Sequence, residues 1–349
     1  MINSVAVGMS GGVDSSVTAA LLKEQGYNVI GITMQLHNVQ QSDTGYCTGV
    51  DIRDASLAAE RIGIPHYVVD FTCEFERFVI DYFVNEYKNG RTPNPCIACN
   101  KHIKFGSLLN RAKALGADFV ATGHYARVTQ KDGRFLLQRG VDKNKDQTYF
   151  LYTLSQQQLS RILMPLGDKT KAQTREIARR FGLVTAEKKE SQEICFVLDN
   201  DYAAFIEKRA GISPFGDFIY NGQTVGTHKG IIHYTVGQRK GLGLALGKPI
   251  YITKIDAVTN KIHLGDDDQR RSTMLTAGEL NFIPFDTIPK EFACTAKIRY
   301  NAKDSPCVVY SAQAGVRVVF ENGQNAVTPG QSIVFYDGET VLGGGIIDA

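Results

Sequence analysis

The chain has 349 residues, 43% of them apolar and 21% charged, with a formal net charge of +3 at pH 7 and seven cysteines. That length exceeds one ordinary core and predicts two or three domains, while the near-balanced charge neither requires nor rules out nucleic acid. No apolar run is long enough for a membrane span and no charged-then-apolar opening marks a signal peptide, so a cytoplasmic setting without a membrane partner is expected. There, an odd number of unevenly spaced cysteines points to catalytic, metal-binding or buried thiols and away from a disulfide scaffold.

The apolar run Ser4–Val7 predicts a first strand, and the loop "GMSGGVDSS" from Gly8 to Ser16 follows it. A helix comes next, because Val13, Val17 and Leu21 recur every four residues and Gly26 stands where a stop belongs. A glycine-rich loop opening a helix offers backbone N–H groups and the positive end of a helix dipole, so phosphate is the expected ligand. The GxxxxGK[ST] pattern is absent and the loop holds no lysine, which weakens an ordinary P-loop NTPase reading. Further on, Asn28–Met34 predicts a strand, "DIRDASLAAERIG" a helix ending at Gly63, and "HYVVD" from His66 a strand; after long helical stretches, "DFVATGH" from Asp118 predicts another. Alternation of this kind predicts an α/β doubly wound parallel sheet with ligands at the carboxyl ends of its strands, where the opening loop, Met34 and Gly123–His124 all fall.

From about Lys143 the chain turns basic and helical, with a capping-box pair at Thr170 and Gln173 and a stop at Gly182. Lys143, Lys145, Lys169, Lys171, Arg175, Arg179, Arg180, Lys188 and Lys189 crowd together here, and the spacing of Lys171, Arg175 and Arg179 gathers them on one helix side. Such a stripe suits phosphate contacts, although a charge run is more often a solvated face. Beyond about Asn200, "YITKIDAVTNKIHLG" and "CTAKIRYNAKDSPCVVY" read as β-hairpins, and the last 70 or so residues as a small barrel. Cys96 and Cys99 form a C-x-x-C, the mark of a redox pair, half a zinc site or part of a cluster site. Cys47, Cys73, Cys294 and Cys307 are expected to be buried and inert.

Taken together, "SGGVDSS", "NPCIACNKHIKF" at Asn94, "TGHYARV" at Thr122, "EICF" at Glu193, "HKGIIHYTVGQRKGLG" at His228 and "AKIRY" at Ala296 resemble the bacterial tRNA-specific 2-thiouridylases, the MnmA/TrmU family, over essentially the whole chain. SGGxDS alone marks only the wider PP-loop ATP pyrophosphatases, which adenylate a substrate and release pyrophosphate. The resemblance implies ATP and Mg²⁺ as cofactors, with Gly8, Met9, Ser10, Gly11, Gly12, Val13, Asp14 and Ser15 around ATP and Met34 and Gly123 at its adenosine. Loop amides and the hydroxyls of Ser10, Ser15 and Ser16 suit departing pyrophosphate, and Asp14 suits Mg²⁺.

By the same resemblance Cys195 carries a persulfide and Cys99 is the second thiol, the partner substrate is the anticodon arm of tRNA, and sulfur comes from a cysteine desulfurase or a relay protein. A second arrangement stays open, in which Cys96, Cys99 and Cys195 hold three irons of a [4Fe–4S] cluster. Asn94, Pro95 and Cys96 are placed at the target base, His124 near the tRNA, and Lys145, Asp146, Gln147, Arg299, Tyr300 and Gln331 on the RNA. The implied division is 1–198 for the PP-loop catalytic domain with its basic RNA-binding extension, 199–275 for a small, mostly β central domain, and 276–349 for the barrel. The implied reaction is 2-thiolation of the wobble uridine; the rivals are a PP-loop ligase acting on a small molecule and a nucleotide-gated RNA-binding module. The polar stretch from Ala186 to Phe196 is expected to be mobile without tRNA.

Overall fold

In the computed structural model, which describes residues 2–37, 49–188, 194–197 and 201–348, the first apolar run forms strand β1 (Ser4–Gly8), fully buried from Val5 to Val7. Helix α1 (Val13–Glu24) follows, and Gly26 ends it with φ +88°. Then come β2 (Asn28–Gln35), α2 (Gly49–Ile62) and β3 (His66–Asp70). After two helical stretches the chain returns as β4 (Phe119–Ala121), makes a ribbon of β5 (Ala126–Lys131) and β6 (Arg134–Arg139), and adds β7 (Ile162–Leu163).

The sheet runs β3-β2-β1-β4-β7 with every pair parallel, which is the expected doubly wound α/β arrangement. Its core joins Val5 and Val7 of β1 to Val17 and Leu22 of α1 and to Ala55, Ala58 and Ala59 of α2. Each fully buried Val or Leu side chain there is worth about 1.5–3 kcal/mol. The small alanine face lets α2 lie close. The β5–β6 ribbon is a feature that the sequence reading passes over, though its turn, Asp132–Gly133, is a two-residue signal of the I′ kind, with φ of +50° and +79°.

The helical stretches are irregular in an informative way. Thr72–Phe75 widens into a π-helical turn over Glu76–Ile80 before Asp81–Lys88, and Pro95–Ala98 widens into Cys99–Ser107 before Leu108–Ala114. Such turns recur at functional sites. The helix Lys171–Arg180 is capped as read from the sequence: the Thr170 hydroxyl accepts from the Gln173 amide at 3.3 Å, and Gln173 Oε1 accepts from the Thr170 amide at 2.8 Å.

Two compact units result. One comprises Met1–Val79, Cys96–Asn200 and Glu339–Val341, and holds the parallel sheet. The other comprises Ile80–Pro95, Asp201–Gly338 and Leu342–Ala349. It contains a four-stranded sheet made by β8 (Gly216–Tyr220), β9 (Gln223–His228), β10 (Tyr251–Asp256) and β11 (Lys261–Gly265) in the order β10-β11-β8-β9. It also contains the barrel strands β12 (Arg271–Phe282), β13 (Glu291–Lys297), β14 (Ser305–Ala312), β15 (Gly315–Asn325), β16 (Ser332–Asp337) and most of β17 (Thr340–Ile347). The order β12-β15-β14-β13-β16-β17 closes because β17 also pairs with β12. The expected barrel is therefore present, and its first strand begins at Arg271, upstream of position 276. Among the described residues no helix is long and apolar enough to cross a membrane.

Replacing the Thr170 cap tests the local logic: Thr170→Ala is expected to lose about 1 kcal/mol of stability in urea unfolding with an unchanged m-value.

Candidate active site

The loop between β1 and α1 is shaped by its own serines. Ser15 Oγ accepts from the Ser10 amide at 3.1 Å and donates to Gly12 O at 3.2 Å, and Ser16 Oγ donates to the same carbonyl at 2.9 Å. Ser15 and Ser16 are buried, and their hydroxyls hold the loop's form. Gly12 caps α1 without a side-chain hydrogen bond, leaving the first-turn amides without intrahelical partners, as at any helix start. Gly11 sits at φ +70° with α2 beside it: an added Cβ would meet the Asp51 carbonyl oxygen at 2.3 Å. Met9 is anchored below, its amide donating to Ile32 O and its carbonyl accepting from Thr33 Oγ1, both at 2.8 Å.

The lysine missing from the loop arrives from elsewhere. Lys171, the first residue of the capped helix, places Nζ 2.8 Å from both carboxylate oxygens of Asp14. The Tyr125 hydroxyl donates to Asp14 Oδ1 at 2.9 Å and lies 3.0 Å from Thr174 Oγ1, and the Lys171 ammonium is 5.7 Å from the Tyr125 ring. Gly123 permits this, since a Cβ there would stand 2.7 Å from the Asp14 carbonyl carbon and 2.8 Å from the Ser15 amide nitrogen. Met34 is half-buried near the end of β2.

His124, next along, is 7% exposed, with Nδ1 2.7 Å from Thr122 Oγ1 and its ring 5.8 Å from that of Phe105. Burial and the nearby Lys104 ammonium hold its pKa well below the usual imidazole value, so the ring is neutral. Lys104 lies five residues after Cys99, close to one turn of the π-helical segment Cys99–Ser107. It is half-buried and makes no ion pair with a carboxylate among the described residues. Burial pushes the Cys99 thiol up to about 11, Lys104 pulling against that and Cys96 adding to it. Asn100 Nδ2 donates to Phe150 O at 3.1 Å and so ties down the turn that carries Cys99.

Cys195 is half-buried beside Phe196, which packs edge-on to Phe75 at 5.8 Å. The stretch expected to be mobile falls partly on 189–193, outside the described residues, and its described ends are held: Ala186 O accepts from Arg175 at 2.6 Å, and Lys188 Nζ pairs with Asp51 and Asp54. Among the described residues no three His, Cys, Asp or Glu side chains converge to hold a metal.

Family models match the chain along its length: a tRNA methyl transferase HUP domain over residues 3–199, a tRNA methyl transferase PRC-barrel domain over 203–266 and an aminomethyltransferase β-barrel domain over 272–347. The protein named tRNA-specific 2-thiouridylase MnmA in Carboxydothermus hydrogenoformans is 55% identical across 99% of this chain and 97% of its own. Those so named in Acetivibrio thermocellus and Clostridium acetobutylicum are 54% and 50% identical, over 98% and 99% of this chain and 98% and 100% of theirs. The chain belongs to the tRNA-specific 2-thiouridylase family. Among solved structures, a 4-thiouridine synthetase–RNA complex with bound ATP overlays with a TM-score of 0.35 at 16% identity, over 55% of this chain and 44% of that one, a likeness too slight to build on.

The basic stripe makes pairs within its own unit as well as facing solvent. Lys171 serves Asp14, Arg175 binds the carbonyls of Ala186 and Lys188, Arg179 pairs with Glu187 at 2.8 Å, and Arg180 with Glu24 at 2.9 Å. Lys189 and Cys47 lie outside the described residues. Asp146 is 7% exposed, accepting from Thr148 and pairing with Arg139 at 3.4 Å, while Gln147 Oε1 accepts from the Tyr125 amide at 2.9 Å. Both therefore shape the loop that positions Tyr125. The Lys145 amide donates to Asp142 O at 3.0 Å. Cys96 is exposed in the first unit, and Asn94 and Pro95 fall in the second. In the barrel Arg299 is exposed and donates to Asn325 O at 3.3 Å, Tyr300 lies 5.7 Å from the Lys297 ammonium, and Gln331 is half-buried. Cys73 is exposed, contrary to its expected burial. Lys171, Tyr125 and Lys104 are the residues that sequence reasoning missed as site members; the only signal was Tyr125 directly following Gly123–His124.

Gly123→Ala is expected to lower Tm by several degrees and to abolish the Tm increase produced by ATP, as read by thermal shift with and without nucleotide. His124 makes a pH-dependent contribution with a definite sign. The unfolded chain protonates near 6.5 and the folded chain does not, so stability falls as pH drops below about 6.5. His124→Asn is expected to flatten that fall in urea midpoints measured from pH 7.5 to 5.5.

Proposed function

We propose that this protein makes 2-thiouridine at the wobble position of tRNA, using ATP to adenylate the uracil C2 oxygen and a cysteine persulfide to supply sulfur. The observation that carries this reading is the run Thr122–Tyr125. Gly123 and Tyr125 abut the phosphate loop, and the Lys104 charge acts on both His124 and Cys99. Phosphate chemistry and thiol chemistry thus share one four-residue wall.

A carbonyl oxygen leaves poorly, so the uracil oxygen must first become a phosphate ester. Attack of that oxygen on the α-phosphate of ATP releases pyrophosphate, which the amides of Gly11 to Ser15 and the Lys171 ammonium receive. Lys171 supplies the charge that the loop lacks, held ready by Asp14 until phosphate competes for it. Mg²⁺, which binds through one or two carboxylates plus substrate phosphates, would be held by Asp14; when bound it would neutralise charge on the leaving pyrophosphate.

The terminal sulfur of a persulfide on Cys195 then attacks C2, AMP departs, and the base stays linked through sulfur to Cys195. The Cys99 thiolate attacks Cys195 Sγ, the sulfur–sulfur bond breaks toward the base, 2-thiouridine is freed, and a Cys99–Cys195 disulfide remains for a thiol reductant to reset. The buried Cys99 thiol is protonated at neutral pH. Rearrangement around the bound base must expose it, which delays resolution until sulfur has reached the substrate. A flipped anticodon-loop base suits the site because it costs little to unstack. A cysteine desulfurase or relay protein would load Cys195, in the cytoplasm.

The test is nucleoside mass spectrometry on unmodified tRNA incubated with the protein, ATP, Mg²⁺, cysteine and a desulfurase. Native protein is expected to form 2-thiouridine, and Cys195→Ala none while still releasing pyrophosphate. Lys171→Ala is expected to slow pyrophosphate release about a hundredfold. Pyrophosphate release without any tRNA requirement would instead favour a small-molecule ligase.

A further inference from the structure

Cys294 and Cys307 take no part in this chemistry, and the fold sets them face to face. They are directly opposite residues in the antiparallel β13–β14 pair, and their sulfurs are 3.6 Å apart. Directly opposed positions of an antiparallel ladder have Cα separations of about 4.5–5.5 Å, inside the range that a disulfide spans. The pair needs no backbone rearrangement to join. Cys307 is buried among the barrel's apolar side chains, whereas Cys294 is half-buried and packs against the edge of that cluster.

The chain between the two cysteines gives the pair its interest. It holds the end of β13, the start of β14 and the connection that carries Arg299 and Tyr300. A bond between residues 294 and 307 would cross-link the base of this hairpin and restrict its tip.

We infer that Cys294 and Cys307 form a reversible intramolecular disulfide under oxidation by a low-molecular-weight disulfide, and that it stiffens the Arg299–Tyr300 hairpin. One cysteine thiolate attacks the small disulfide and releases one thiol, leaving a mixed disulfide. The second cysteine attacks the protein sulfur of that bond and releases the other thiol. Two protein thiols are oxidised by two electrons, and one small disulfide is reduced to two thiols. The Cys307 sulfur and burial push the Cys294 thiol up, and Asp337 adds to this, so Cys294 is not a standing thiolate and the exchange is slow. Slow exchange suits a response to sustained oxidation rather than a step in each turnover. The consequence for RNA rests on the proposed function, since it assumes that Arg299 and Tyr300 meet tRNA; the disulfide itself does not.

The experiment uses the full chain carrying Cys99→Ser and Cys195→Ser, so that sulfur-transfer chemistry is silent. It is incubated with excess glutathione disulfide and digested without reduction for peptide mass spectrometry. A cross-link between the peptides containing residues 294 and 307 is expected, with a loss of two hydrogens, reversed by dithiothreitol and absent from a further Cys294→Ser or Cys307→Ala variant. The oxidised protein is expected to have a higher Tm than the reduced one and an altered tRNA affinity by filter binding, with both changes missing in those variants. Glutathione adducts alone, or thiols still free after prolonged incubation, would overturn the disulfide. A cross-link with unchanged Tm and unchanged tRNA affinity would overturn its stiffening role, and neither result bears on whether the protein thiolates uridine.

Discussion

The backbone of Gly123 comes so near the first turn of α1 that any side chain there would collide with Asp14 and Ser15. This approach brings the end of β4 against the loop after β1, two neighbouring parallel strands whose carboxyl ends face the same way. Tyr125 then reaches Asp14, Asp14 holds Lys171, and Lys171 brings with it the capped helix that it begins. A glycine thus sets the spacing on which a tyrosine, a carboxylate and an ammonium depend. The phosphate loop is built from parts as distant in sequence as residues 14 and 171, and the local glycine pattern supplies only its floor.

The thiol side of the site follows a different rule. Burial keeps Cys99 protonated and His124 uncharged, while Lys104 is half-buried and, among the described residues, pairs with no carboxylate. A half-buried ammonium among neutral groups stabilises negative charge that forms near it, a thiolate included. The phosphate side is arranged oppositely, with its cation already matched by Asp14. One half waits for charge, and the other exchanges one anion for another.

What could be read from the sequence was local. The strand, loop and helix around Gly8–Ser16, the stops at Gly26 and Gly63, the Thr170–Gln173 cap and the later hairpins all follow from residues a few positions apart. The Asp132–Gly133 turn was equally legible and was passed over. The pairing of Lys171 with Asp14 was not legible, because helix periodicity correctly gathers Lys171, Arg175 and Arg179 on one side but cannot say what that side faces. Carboxylates and carbonyls of the same unit pair with those charges, so the run also ties the helix to its own unit. The π-helical turn at Cys99 was hidden for a related reason: no residue pattern there departs from an ordinary helix, and only the hydrogen-bond register reveals that Lys104 lies about one turn away.

The final strand, β17, divides its loyalties. Glu339–Val341 belongs to the first unit, where Thr340 pairs with Gln138 and Glu339 O accepts from the Arg139 amide at 2.8 Å, whereas Leu342 onward completes the barrel. During synthesis, therefore, Gln156 can bracket the β6 edge at Phe135 early, but the Gln138–Arg139 end of that edge gains its strand partner only when residues 339–340 are made. The amino-terminal unit can collapse early but cannot finish early: the end of its ribbon edge stays open to pairing for the roughly 200 residues that separate residue 139 from residue 339.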